Sequence, residues 1–218
     1  MLLLRAPGVY RAQSDTELLT EVFVGGGMAA GRRVLDVGTG SGALALAAAR
    51  AGASSVTAVD LSLRSVVATW INSRLRGLRV RVRRGDLFAP VAGERFDLVV
   101  ANPPYVPSAT ARLPRHRAAR CWDGGPDGRA VVDRICREAP WVLADGGELL
   151  MVQSAVCGTG ATLAALHAAG FTADVLAHAR VPFGPVMRAR AALMRARGLI
   201  APGEDAEELV VVGARHVG

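Results

Sequence analysis

The chain has 218 residues, half of them hydrophobic, with a formal charge of +7 and three cysteines. That length suits one α/β domain with a sizeable core. No apolar run is long enough to span a bilayer, and Pro7 and Gly8 cut "MLLLRAPG" too short for a signal peptide. Cys121, Cys136 and Cys157 have no paired metal-type spacing, which fits reduced thiols in a cytoplasmic protein.

In chain order, "RAQSDTELLTEVF" (11–23) predicts a helix that starts on a capping box of Ser14 and Glu17 and ends at "GGG". From residue 32 onward, β-branched apolar runs alternate with helical patterns. "RRVLDVG" reads as a buried strand, "GALALAAARAG" as a helix, "SVTAVDL" as a second strand and "SLRSVVATWINSRLRG" as a helix. "RVRVRRGD" alternates Arg and Val, as an edge strand with one wet face does. "FDLVVAN" is the fourth strand, "DGRAVVDRICREAPWVLADGG" a helix and "GELLMVQSAV" the fifth strand. "GATLAALHAAG" is another helix, followed by strands near 171–181 and 207–214. Helices and strands in this alternation mean a doubly wound, mostly parallel sheet, whose ligands bind at the carboxyl ends of the strands. Trp70 and Trp141 fall in helical patterns and are expected in the core, whereas Trp122 falls near the site in a loop.

Four strand ends carry the chemistry. "LDVGTGSGA" places Gly38, Gly40 and Gly42 between a strand and a helix, where bare backbone N–H groups meet a ligand. Gly38, Gly40 and Ala43 also satisfy the dinucleotide pattern, so the loop alone leaves two ligands open. Charge separates them. Asp36, expected to point into the pocket, would repel a pyrophosphate and attract the ammonium and sulfonium of S-adenosylmethionine (SAM). Asp60 then fits as acceptor from the ribose hydroxyls, with Leu61 against the adenine. Asp86 fits as acceptor from the adenine amino group, with the Leu87 N–H donating to the ring.

"NPPY" ends the fourth strand with a rigid ledge. A planar –NH₂ shares its lone pair into a π system and is a poor nucleophile. Two acceptors, the Asn102 side-chain oxygen and the Pro103 carbonyl, would grip its N–H bonds and orient the nitrogen. Tyr105 would stack on the planar group and exclude water. No metal or covalent nucleophile is required, and no Cys/His constellation argues for one.

These motifs resemble those of class I SAM-dependent methyltransferases over nearly the whole chain. "NPPY" is similar to the motif of the amino-methylating group: adenine-N6 and cytosine-N4 enzymes, and the HemK-type glutamine-N5 methyltransferases of peptide-release factors. "SDTELL" and "WDGGPDGRAVVDRI" resemble the HemK-type branch in particular, although Ser14 stands where that family has proline. The resemblance is to the short form without the N-terminal helical domain. It implies a Rossmann-like, seven-stranded, mostly parallel sheet with an antiparallel last strand. Residues 1–31 would be an N-terminal extension whose helix caps the cofactor site, and 32–218 the methyltransferase domain. It also places Asp15, Thr16 and Asn102 at the methionine end of SAM, which leaves as S-adenosylhomocysteine.

The basic residues are weaker evidence. All 26 are arginines, as biased codon use produces. "ARLPRHRAAR" (111–120) would be a loop over the site, able to hold phosphates or an acidic protein face, and the arginines of "VMRARAALMRARG" are expected to face solvent. No segment is long enough for a separate DNA-reading element. The expectation is therefore a methyltransferase of a protein glutamine, with a Gly-Gly-Gln segment of a release factor as substrate and a small activating partner. An RNA or DNA amino-methyltransferase is the first alternative, and a small-molecule N-methyltransferase the next.

Overall fold

The computed structural model describes residues 3–4, 8–10, 13–110 and 121–217. Apolar, β-branched runs form seven strands: β1 (Arg33–Val37), β2 (Ser55–Asp60), β3 (Arg81–Arg84), β4 (Phe96–Ala101), β5 (Leu143–Ser154), β6 (Phe171–Pro182) and β7 (Ala206–His216). They make one sheet in the order β3-β2-β1-β4-β5-β7-β6. β1 through β5 pair in parallel, while β7 runs antiparallel to both β5 and β6. The helices are α1 (Ser14–Gly25), α2 (Ala43–Arg50), α3 (Leu63–Arg74), α4 (Val132–Glu138), α5 (Thr159–Ala168) and α6 (Pro185–Ala196).

Successive strand residues point to opposite faces, and here both faces are covered. Leu35, Val99, Leu149 and Met151 pack with Ile135 of α4 and Leu166 of α5. Val34, Leu98, Leu150 and Val211 pack with Leu19 and Phe23 of α1 and Leu44 of α2. Double coverage explains why β1, β4 and β5 read as near-continuous apolar runs. β3 is the exception, and as an edge strand it carries charge: Arg81 and Arg83 both pair with Glu94, the latter at 3.1 Å.

Three local expectations need correction. The helix read over 127–147 covers only Val132–Glu138. Pro140 lacks the N–H that would continue it, so one 3₁₀ turn over Ala139–Trp141 leads straight into β5. The capping box is not made: Gln13 is the N-cap, without a side-chain bond, and Ser14 lies inside the helix. Trp70 and Trp141 are 51% and 61% exposed rather than core. Trp70 stands on the face of α3 opposite buried Ala68, Thr69 and Asn72, beside the guanidinium of Arg74.

The chain crosses from one side of β1 to the other between β3 and β4. The carboxyl ends of β1, β2 and β4 therefore open a crevice at the switch point.

Candidate active site

A cavity of about 400 Å³ occupies that crevice. Its first wall is the loop after β1. Gly38, Gly40 and Gly42 take φ of +75°, +58° and +88°, a region that L side chains rarely adopt. Gly42 has a second constraint, because a Cβ there would stand 2.9 Å from the Thr69 side chain where α2 and α3 meet. The loop is stitched to α3 by the Thr69 hydroxyl, which donates to the Gly40 carbonyl (3.1 Å), and by the Asn72 amide, which donates to the Ser41 carbonyl (3.0 Å).

Asp36 sits under this loop and does not line the cavity, contrary to expectation. Its carboxylate is fully buried, accepting from the Thr39 hydroxyl (2.6 Å) and the Ala45 N–H (2.9 Å). Burial pushes its pKa up to about 7, against those two hydrogen bonds. Asp36 therefore shapes the loop from beneath. Gly42 likewise lies behind the wall rather than on it.

Asp60 lines the cavity and bridges two walls: it accepts from the Gly40 N–H (2.9 Å) and the Ser62 N–H (2.8 Å). Leu61, Asp86 and Leu87 extend the same side. Leu87 has φ +43°, the one non-glycine residue with positive φ among those described. Asp86 is half exposed and forms a two-pronged ion pair with Arg134 of α4 (3.1 and 3.2 Å). Sequence patterns had not singled out Arg134.

The opposite wall is the ledge Asn102–Tyr105. Asn102 donates through Nδ2 to the Thr16 hydroxyl (3.1 Å), which ties β4 to α1. Asp15 accepts from the Tyr10 hydroxyl (2.6 Å), the Tyr105 hydroxyl (3.0 Å) and the Thr16 N–H (2.6 Å). Burial first, and then the charge of Asp15, hold both phenols far above their ordinary pKa, so they remain donors. Tyr105 was expected to stack on the acceptor. It lines the cavity with a largely buried side chain, which packs with Phe183 and Met187 and donates to Asp15.

The ledge is held from beneath. Val106 donates to the Trp122 carbonyl (2.8 Å) and accepts from the Gly124 N–H (2.9 Å). Gly128 lies so close that a Cβ would meet the Tyr105 carbonyl at 2.3 Å and the Cys157 sulfur at 2.7 Å. The "GGPDG" stretch is thus a backbone support for the ledge. Two arginines of α6 and its end, expected in solvent, also grip it. Arg190 donates to the Pro107 carbonyl (3.0 Å) and pairs with Asp123, and Arg197 donates to the carbonyls of Ser108 (2.8 Å) and Pro126 (2.6 Å). The arginine-rich stretch 111–120 lies outside the described residues.

Asp15, Asp60, Asp86, Asp123 and Glu207 line the cavity against Arg134 as its one cation among the described residues. A chain of charge +7 has built an acidic pocket, which suits a cationic ligand with hydroxyls to donate. The pocket also offers bare N–H groups at the start of α2. This donor and acceptor set fits SAM.

Known proteins resemble the chain in the same sense. Residues 1–115 match the family model of the methyltransferase small domain. A candidate protein N5-glutamine methyltransferase of Methanocaldococcus jannaschii is 32% identical over 181 residues, covering 83% of this chain and 90% of its own. The release factor glutamine methyltransferase of Gloeobacter violaceus is 39% identical over 171 residues, 74% of this chain, and the chain spans only 59% of that relative's length. Among solved structures, the Mtq2-Trm112 complex of E. cuniculi, responsible for methylation of the eRF1 translation termination factor, matches in fold. That likeness has a TM-score of 0.67 at 23% identity and covers 96% of this chain and 99% of the other. No described helix is long and apolar enough to cross a membrane. With more than half its length matched, the chain belongs to the methyltransferase small domain family and is a methyltransferase.

Proposed function

We propose that the chain methylates the side-chain amide nitrogen of a glutamine in a protein of the translation apparatus, in the cytoplasm. A release factor presenting a Gly-Gly-Gln segment is the first candidate substrate. The observation that carries this reading is the ledge: Asn102 and Pro103 line the cavity, and the chain just after them is fixed where Gly124 donates to the Val106 carbonyl and Arg190, paired with Asp123, donates to the Pro107 carbonyl. The names of the relatives support a glutamine acceptor, and the acidic lining argues against a phosphate backbone inside the cavity.

SAM supplies a methyl on a positively charged sulfur, whose neutral thioether is a good leaving group. The chain's own residues do the rest. Asp60 accepts from the ribose hydroxyls, Leu61 packs against the adenine, the Leu87 N–H donates to its ring, and Asp86 takes its amino group while paired to Arg134. Asp15 and Thr16 hold Asn102, so that its side-chain oxygen and the Pro103 carbonyl face the two N–H bonds of the acceptor. Neither is a base; they orient the lone pair, and the proton leaves after the nitrogen has begun to bond. Orientation of this kind is worth up to about 7–11 kcal/mol. Residues 1–31 act as an extension that walls the cofactor site, with 32–218 as the catalytic domain. A small activating partner belongs to this reading, and the finding that Mtq2 works as a complex with Trm112 supports it.

Tritium transfer from SAM to purified release factor, ribosomal protein, RNA and DNA tests the proposal. Label in a glutamine of the protein is expected. Label confined to RNA or DNA would overturn it.

A further inference from the structure

Glu207 opens β7, two places from β4 in the sheet, and lines the same cavity as the ledge. It lies on the side of β4 away from β1, β2 and β3, whose ends carry the glycine loop, Asp60 and Asp86. This is the half of the cavity left for the acceptor. Glu207 lines that cavity yet is 7% exposed; its Oε2 makes no well-aligned hydrogen bond among the described residues, and neither does the Ser154 hydroxyl beside it.

Asp15, close by, is the opposite case, since its carboxylate is met by the Tyr10 and Tyr105 hydroxyls and the Thr16 N–H. Burial raises the pKa of Glu207, the neighbouring Ser154 opposes the shift, and the charge of Asp15 adds to it. The other titratable groups coupled to it are Tyr10, Tyr105 and Cys157, none of them a cation. Such surroundings shift the carboxyl toward its protonated form, which can donate. A donor is what the ledge lacks, because Asn102 Oδ1 and the Pro103 carbonyl both accept.

We infer that Glu207 is a third anchor of the acceptor, its carboxyl donating a hydrogen bond to the carbonyl oxygen of the glutamine amide whose nitrogen the ledge holds. This rests on the reading of the acceptor as a carboxamide. The anchor sets which end of the planar group faces SAM. Rotating the amide by half a turn would put its oxygen against the two acceptors and its NH₂ against the donor, leaving all three unpaired. Glu207 thereby selects the productive rotamer and rejects acceptors without an oxygen or ring nitrogen beside the –NH₂.

The test uses the full chain, tritiated SAM and a peptide containing Gly-Gly-Gln, with S-adenosylhomocysteine affinity and melting temperature as controls. Glu207→Ala is expected to lower kcat/KM for the peptide by about 10–100-fold, with S-adenosylhomocysteine affinity unchanged. Glu207→Gln keeps an N–H donor and should recover most of the loss. If Glu207→Ala does not fold, Glu207→Met, similar in shape but without a donor, takes its place and should be as impaired. Wild-type kcat/KM in the donor-free variant overturns the anchor alone, as does a parallel loss of S-adenosylhomocysteine binding or a Glu207→Gln no better than Ala. A wild-type chain that labels nucleic acid and not the peptide overturns the substrate reading and the anchor with it.

Discussion

The two halves of the crevice are built by different means. The half under β1 and β2 is shaped by backbone: three left-handed glycines, the buried Asp36 and an Asp60 that accepts two main-chain N–H groups. The half under β4, β5 and β7 is assembled from side chains far apart in sequence. Tyr105 reaches Asp15 across 90 positions, Asn102 reaches Thr16 across 86, and Arg190 reaches Asp123 across 67. In the proposed reading the first half holds a cofactor that never changes, so rigid main chain serves it, while the second holds the acceptor, and its shape depends on packing between separate elements.

Removing single groups from each half sharpens that contrast. The largest effect is expected from Asn102→Ala, which takes away the side-chain acceptor of the ledge. Turnover should fall by about 10²–10³-fold, the scale for one preorganised polar group at a reacting centre. Calorimetry should find S-adenosylhomocysteine binding nearly unchanged, because Asp60 and the glycine loop remain. Near-normal single-turnover methylation by this variant would show that the ledge does not orient the acceptor.

Gly128→Ala comes next and acts on stability. Its methyl would press on the Tyr105 carbonyl from a backbone with φ +82°, so a loss of roughly 2–4 kcal/mol is expected from strain and overpacking together. Denaturant melts measure it. An unchanged midpoint would mean that the ledge is not supported from below.

The smallest effect belongs to the cofactor half and depends on pH. Asp36, with a pKa raised to about 7, binds its proton more tightly folded than unfolded. Its stabilising contribution is complete below the unfolded value near 4 and is lost as pH rises through about 7. Asp36→Asn keeps an acceptor for Thr39 and Ala45 and cannot ionise. Melts at pH 5 and pH 8 should find it gaining on the wild type by about 1–3 kcal/mol over that interval. Parallel curves for the two proteins would place the Asp36 pKa at its ordinary value.

The same division explains what the sequence disclosed. The alternating elements, the loop after β1 and the acids at three strand ends are local patterns, and the order of strands follows from them. Glu207, Arg134 and Arg190 carry no local signal. Each is one charged residue in an amphipathic stretch, and only the sheet order or a helix face brings it to the cavity. Asp36 misled because a strand-end acid can turn under its loop as readily as over it. Trp141 misled because a helical period was carried past Pro140, where the helix had already stopped. Tyr105 was placed in the right region, but its neighbour Asp15 could not be known without the fold.

The packing of Gly128 against the ledge, and of Gly124 against Gly128, has a consequence for how such an enzyme can change. A floor with no room for a methyl group cannot be adjusted by small steps, so the position of Asn102 and Pro103 is inherited whole. Trp122, Val186 and Met187 line another wall of the cavity. New acceptors would be reached by varying that wall, and a library meant to redirect this enzyme should diversify those three positions and leave the glycines alone.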